Sequence, residues 1–127
     1  TPPGDSAFDK VRAARALAPQ DGAVRAATTR LLAAARTCFN DGLRGNRLTH
    51  AGVCLDARSA LGDPATDLRD ARQRLAQRWI AIGEQRLGAG EVAAASAALA
   101  AARALDPNVA GLDAFSERMR AASAAGD

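Results

Sequence analysis

Five apolar columns recur along this chain at a single spacing of 44 residues. Ala7, Ala51 and Ala95 make one column, Val11, Leu55 and Leu99 a second, and Leu17, Leu61 and Leu105 a third. Val24, Leu68 and Leu112, then Leu31, Leu75 and Met119, complete the set. Five columns in one register without a gap mean an internal repeat. A repeat of this length restricts the fold to stacked supersecondary units, none of which buries its apolar face alone. Within each period the apolar residues follow helical spacing and the Gly and Pro residues fall between the periodic segments. The chain is therefore expected to be all-α, with about six helices.

The third period shows how such a unit closes. Trp79-Ile80-Ala81-Ile82-Gly83 is followed by a Gly88-Ala89-Gly90 break, then Ala95, Leu99 and Ala102, and finally Leu105-Asp106-Pro107. Small residues at Gly83 and Ala95 would let two antiparallel helices approach, with Trp79, Ile82 and Leu99 filling space beside the contact. Gly88 and Gly90 would let the chain reverse, and Pro107 cannot continue a helix. These landmarks resemble the tetratricopeptide repeat, lengthened from its usual period of about 34 residues by nearly three helical turns in the first helix of each pair. HEAT repeats share the longer period, but the small-residue contact, the Gly turn and the terminal Pro favour the tetratricopeptide unit. The resemblance implies an α-solenoid: a right-handed superhelix of antiparallel helix hairpins whose first helices line a concave face.

In that frame residues 1–127 form one repeat domain: a half repeat 1–19, repeats 20–63 and 64–107, and a terminal helix 108–125. Thr1-Pro2-Pro3-Gly4 reads as a turn, with Asp5 or Ser6 capping a helix that runs to about Ala18. Pro19 to Gly22 breaks it, and a long helix follows from about Ala23 to Leu43. Arg44-Gly45-Asn46 is the reversal, and a shorter helix returns from Arg47 to about Leu61. After Gly62-Asp63-Pro64, Thr66 or Asp67 caps a second long helix to Leu87, and Glu91 to Ala104 is its partner. A last helix from Asn108 to about Ala122 carries the stripe Leu112, Phe115 and Met119, expected to pack on that partner helix. Open repeat ends of this kind also suggest a homodimer.

Further residues resemble a bacterial repeat segment: Thr1 to Asp9, the Ala16-Leu17-Ala18-Pro19 close, and Arg74 to Gly83. Proteins carrying such a segment commonly place it outside the cytoplasm after a single membrane span, some with a serine/threonine kinase domain inside. The resemblance implies a periplasmic scaffold in a membrane-anchored, signalling protein, with a cytoplasmic location as the alternative. No apolar run here approaches the roughly 20 residues that span a bilayer. The abrupt start reads as that of a segment excised from a longer chain.

Cys38 lies seven residues before Gly45 and Cys54 nine after it, so the two thiols should face each other across the hairpin. A disulfide is expected if small neighbours such as Ala51 bring the Cα atoms within about 7 Å, with two buried free thiols acting as small hydrophobes as the alternative. His50 and Asp41 stand near by in sequence, but zinc sites usually show tighter pairs of the C-x2-C kind, and no metal is expected.

Arg30, Arg74 and Arg118 recur at the repeat spacing as a candidate basic ladder. With Arg outnumbering Lys sixteen to one and a net charge of +3, nucleic acid or another anionic polymer is one reading. The signs alternate, however, in Arg69-Asp70 and Glu117-Arg118, which is the pattern of a solvated helix surface. With no Tyr, one His, no phosphate loop and no paired carboxylates, no catalytic residue and no cofactor is expected. Carried over from the resemblance, the concave face holds Ala33, Arg36, Asn40, Leu43 and Arg44, then Gln77, Ile80, Glu84, Leu87 and Gly88. Such a mixture suits a peptide or a partner helix, so the expected function is a non-catalytic protein-interaction scaffold. A structural spacer or oligomerisation module is the rival.

Overall fold

Six α-helices and no strand make up the described residues, 7–17 and 21–125, of the computed structural model. They are α1 (Ala7–Leu17), α2 (Gly22–Arg44), α3 (Leu48–Ala60), α4 (Ala65–Gly88), α5 (Val92–Leu105) and α6 (Leu112–Ala125). Among the described residues no helix is long and apolar enough to cross a membrane. The expected turn at residues 1–4 and the Asp5 or Ser6 cap lie outside the described residues, as do Pro19 and Gln20 of the break expected from Pro19 to Gly22. The chain divides into two compact units, Thr1–Leu68 and Arg69–Asp127, with the boundary inside α4.

The two hairpin reversals, from α2 to α3 and from α4 to α5, close with the same bonds 44 residues apart. After α2, the Asn46 amide donates to the Leu43 carbonyl and the Arg47 amide to the Gly42 carbonyl, at 3.1 and 2.8 Å. After α4, 44 residues on, Gly90 donates to Leu87 and Glu91 to Arg86, at 3.0 and 2.9 Å. This crossed pair is the Schellman closure, which needs one left-handed residue just past the helix. Asn46 (φ 54°) and Gly90 (φ 82°) fill that position. In the first hairpin the left-handed residue is thus Asn46 and not Gly45, because a short polar side chain tolerates this backbone. Gly90 has open space where a Cβ would stand, so Gly90→Ala should lose only conformational energy, about 1–2 kcal/mol. Gly88→Ala, in the helix and equally open, should be neutral or stabilising; urea unfolding of the two variants gives the comparison.

In the first unit, α1 and α2 pack together and α2 pairs antiparallel with α3. A Cβ on Gly42 would stand 2.9 Å from the Ala51 Cβ, so glycine here permits the close approach of the two helices. Asp21 caps α2, its Oδ1 accepting from the Ala23 and Val24 amides at 2.9 and 3.1 Å. Arg15 of α1 donates to the carbonyl of Ala60, the last residue of α3, at 3.0 Å. A cation at a helix C-terminus suits both the orphan carbonyl and the dipole.

The second unit closes an apolar cluster among Ala76, Ile80, Ala95, Leu99, Ala102, Val109, Leu112, Phe115 and Met119, with Trp79, Leu87 and Leu105 packed against it. Phe115 and Met119 therefore do pack beside α5, and the α6 stripe is buried within its own unit. The close approach differs from the expected Gly83/Ala95 contact. A Cβ at Gly83 would meet the Phe115 ring at 2.5 Å and the Ala98 Cβ at 3.0 Å. Ala98, one turn beyond Ala95, faces Gly83, and the Phe115 ring covers the remaining gap. Gly83→Leu should cost about 1–3 kcal/mol by overpacking, read as a lower urea midpoint, while Phe115→Ala in that background should recover part of the loss.

Two boundaries also move. α4 begins at Ala65, so Thr66 and Asp67 lie inside its first turn and do not cap it. Its start is set by Pro64, whose fixed φ suits a helix entrance and whose carbonyl accepts from Leu68. α6 begins at Leu112 and not Asn108, because the Asp106 side chain takes the Asn108 amide at 3.0 Å and folds Asp106 to Gly111 into turns.

Candidate functional site

The α2–α3 hairpin carries the polar chemistry. Cys38 and Cys54 form a disulfide with Cα atoms 5.9 Å apart, in the usual range for such a bridge. The antiparallel register makes it, since residues 42 and 51 meet near the reversal and residues 38 and 54 meet one turn further out. His50, exposed and four residues before Cys54 on α3, turns its ring onto the bridge. Its Nε2 lies 3.3 Å from the Cys38 Sγ and 3.8 Å from the Cys54 Sγ. Cys38 is half-buried and Cys54 buried, so the bridge is open on the Cys38 side. Asp41, the fourth residue considered for this cluster, is instead ion-paired with Arg44.

At the other end of the hairpin stands an ionic triad that sequence reasoning missed. The Schellman closure of α3, in which the Asp63 amide donates to the Arg58 carbonyl at 3.0 Å, folds the Asp63 side chain back over the last turn. Arg58 donates through Nε to Asp63 Oδ2 at 2.6 Å, and Arg36 of α2 reaches the same oxygen at 3.3 Å and pairs with Oδ1 through its second nitrogen. The Asp63 side chain is fully buried and that of Arg58 is 8% exposed, while Arg36 keeps 43% and extends toward Asp67 at 3.7 Å. Arg58 also lies over the Phe39 ring, 5.1 Å from its centroid, where a weakly hydrated guanidinium gains from the ring face. The hydrogen bond from Arg36 holds the Asp63 carboxyl below its ordinary range, with that from Arg58 adding to it and burial opposing both. The Arg36 guanidinium is raised in turn, chiefly by its bond to Asp63. In the second repeat these positions are Ile80, Ala102 and Pro107, so one repeat closes on charges where the other closes on apolar atoms.

The residues expected on the concave face divide by exposure. Ala33, Asn40, Arg44, Gln77, Glu84 and Gly88 are exposed, and Arg36 and Leu87 are half-buried. Leu43 and Ile80 are buried and present nothing to a ligand. Ile80 belongs to the second unit's apolar cluster. Of the basic ladder, Arg30 is exposed, Arg74 stands 4.0 Å from Asp70, and Arg118 pairs with Glu84 of α4 and not with its neighbour Glu117, which takes Arg120. Of the repeat-core set, Gly83, Ala95, Leu99 and Ala102 are buried, Trp79 and Ile82 half-buried, and Pro107 exposed.

The Cys38–His50–Cys54 cluster had a visible signal. In the 44-residue frame its three positions hold Ile82, Ala94 and Ala98 in the next repeat, so three departures from the apolar pattern fall together. The triad leaves the same trace at 36, 58 and 63. Compared with protein-family models, curated proteins and solved structures, the chain matches none.

Proposed function

We propose that the chain is a non-catalytic scaffold of tetratricopeptide-like repeats, its hairpins stacking as a right-handed superhelix that takes a peptide or a partner helix. The observation that carries this reading is the reversal geometry, repeated at the period of the apolar columns. Hairpin reversals that recur at the sequence period support reading each hairpin as one unit of a series, although the closures that follow α3 and α5 differ. Exposed Asn40 and Gln77 of the first helices are groups such a scaffold would offer to a partner backbone, beside Arg44 and Glu84, which are ion-paired with Asp41 and Arg118. The disulfide supports an oxidising compartment, which is compatible with the extracytoplasmic part of a bacterial membrane-anchored protein that the sequence resemblance implies. The pairing of Arg74 and Arg118 with carboxylates counts against an anionic polymer.

Random displayed peptides selected on the immobilised protein test the reading. They should converge on a shared pattern, with binding lost in the Asn40→Glu/Gln77→Arg variant and kept in Arg12→Ala on α1. A selection that fails to converge would overturn peptide recognition in favour of the spacer. A homodimer belongs to the same reading, and a mass that stays monomeric in light scattering over a concentration series would remove it.

A further inference from the structure

We propose that Cys38, Cys54 and His50 form a zinc site whenever the disulfide is reduced, so that the hairpin carries either a covalent or a metal clamp at one place. The three donor atoms already lie within 4.8 Å of one another. For tetrahedral zinc with bonds of about 2.3 Å to sulfur and about 2.0–2.1 Å to nitrogen, sulfur and nitrogen stand roughly 3.6 Å apart. The Nε2 to Sγ separations of 3.3 and 3.8 Å bracket that value. The sulfur pair must open to roughly 3.8 Å once the bond is broken, with the His50 ring adjusting to keep both Nε2–Sγ separations near that range.

The positions of the donors support the same reading. His50 and Cys54 are four apart on one face of α3, and Cys38 meets them from α2. His50 is exposed, which admits an ion and a reductant, while Cys54 is buried beneath it. None of the three has a counterpart donor 44 residues on, where half-buried Ile82, exposed Ala94 and buried Ala98 stand. A disulfide needs two of these departures, and the histidine is the third.

The chemistry balances with a dithiol as the reductant. The dithiol gives two electrons and two protons to the Cys38–Cys54 bond, which breaks to two thiols as the dithiol closes to its own disulfide. Zinc(II) then takes both sulfurs as thiolates, releasing two protons, and the lone pair of neutral His50 Nε2 as third ligand, leaving the fourth position to water. A disulfide oxidant reverses the sequence, re-forming the bridge and expelling the ion as two protons are taken up by the oxidant's sulfurs.

The test uses the whole chain, oxidised or reduced, with zinc(II) titrated against a chromophoric chelator and cobalt(II) as the spectroscopic probe. Reduced protein should bind one zinc per chain and, with cobalt, show a thiolate charge-transfer band and intense tetrahedral visible bands. Oxidised protein should show neither. Cys54→Ala, which installs the residue of position 98, should fold, as its circular dichroism checks, and lose stoichiometric zinc together with roughly half the charge-transfer intensity. His50→Ala, at an exposed position, should keep that intensity and bind zinc more weakly. Zinc binding of equal strength in oxidised and reduced protein, or a reduced protein whose affinity is unchanged by His50→Ala and Cys54→Ala, overturns the proposal.

Discussion

Asp63→Ala is expected to destabilise the first unit by about 3–5 kcal/mol, a large part of the stability of any small domain. The reason lies in what remains. Arg58 is 8% exposed, and without Asp63 its guanidinium stays buried with the Phe39 ring as its main company. Burying an unpaired charge is far more costly than the pair is favourable. The triple variant Arg36→Ile/Arg58→Met/Asp63→Ala removes every charge at once and approximates the apolar closure at Ile80, Ala102 and Pro107. It should stand near the parent protein or above it by about 1–4 kcal/mol, as replaced buried ion pairs do. Urea unfolding followed by circular dichroism separates the two. Equal losses in the single and triple variants would mean that the triad acts through its shape and hydrogen-bond geometry.

The same carboxyl sets a pH dependence. Because Arg36, then Arg58, hold the folded Asp63 below its ordinary value, the folded state binds its proton less readily than the unfolded state. The stabilisation is therefore fully present above the unfolded value of about 3.9 and is lost as pH falls through the depressed folded one. Parent protein should lose stability steeply below about pH 4, and the triple variant should lose less over the same range. A triple variant as acid-sensitive as the parent would assign the acid loss to other carboxylates.

The helices were legible in the sequence because periodicity reports which face a residue turns to its neighbours: Leu75, Leu99 and Met119 are buried as their columns require, whereas Ala7 and Leu17 of α1, from the same columns, are exposed. The reversals were legible less finely. Gly88-Ala89-Gly90 announces a turn, but Asn46 filling the left-handed position beside Gly45 depends on which residue closes the Schellman pair. Partnerships between distant polar residues were not legible at all. Arg36, Arg58 and Asp63 each look like surface charges, and they become a buried triad only because the α3 closure folds Asp63 back under an arginine from another helix. His50 carries no C-x2-C type spacing, the signal by which zinc ligands are usually read, so the sequence did not mark it. Its spacing from Cys38 says nothing until the hairpin register is known, and register also moved the Gly83 contact from Ala95 to Ala98. What the frame did offer was the list of positions where one repeat departs from the other, and the polar chemistry collected there.

Reducing the disulfide, with a chelator present to exclude metal, should lower the stability of the first unit by about 3 kcal/mol on the chain-entropy account. The bridge closes a loop over a sequence separation of 16 residues, and its loss returns that freedom to the unfolded chain. For a unit of this size the midpoint should fall by roughly 10–20 °C. The native hairpin should survive, because Phe39, Leu43, Leu48, Ala51 and Leu55 are buried independently of the bond. Cys54→Ala and Cys54→Ser both remove the bridge but differ in what they leave at a buried site. Alanine matches position 98 and should equal the reduced protein, while serine places a hydroxyl at a buried site and should cost a further ~1–3 kcal/mol unless it bonds a helical carbonyl or the His50 ring. Thiol titration of unfolded, unreduced protein prepared from an oxidising compartment should find no reactive thiol. Two thiols in that titration, or a midpoint indifferent to reduction, would remove the bridge from the stability of the hairpin and with it the physical ground for placing this domain outside the cytoplasm.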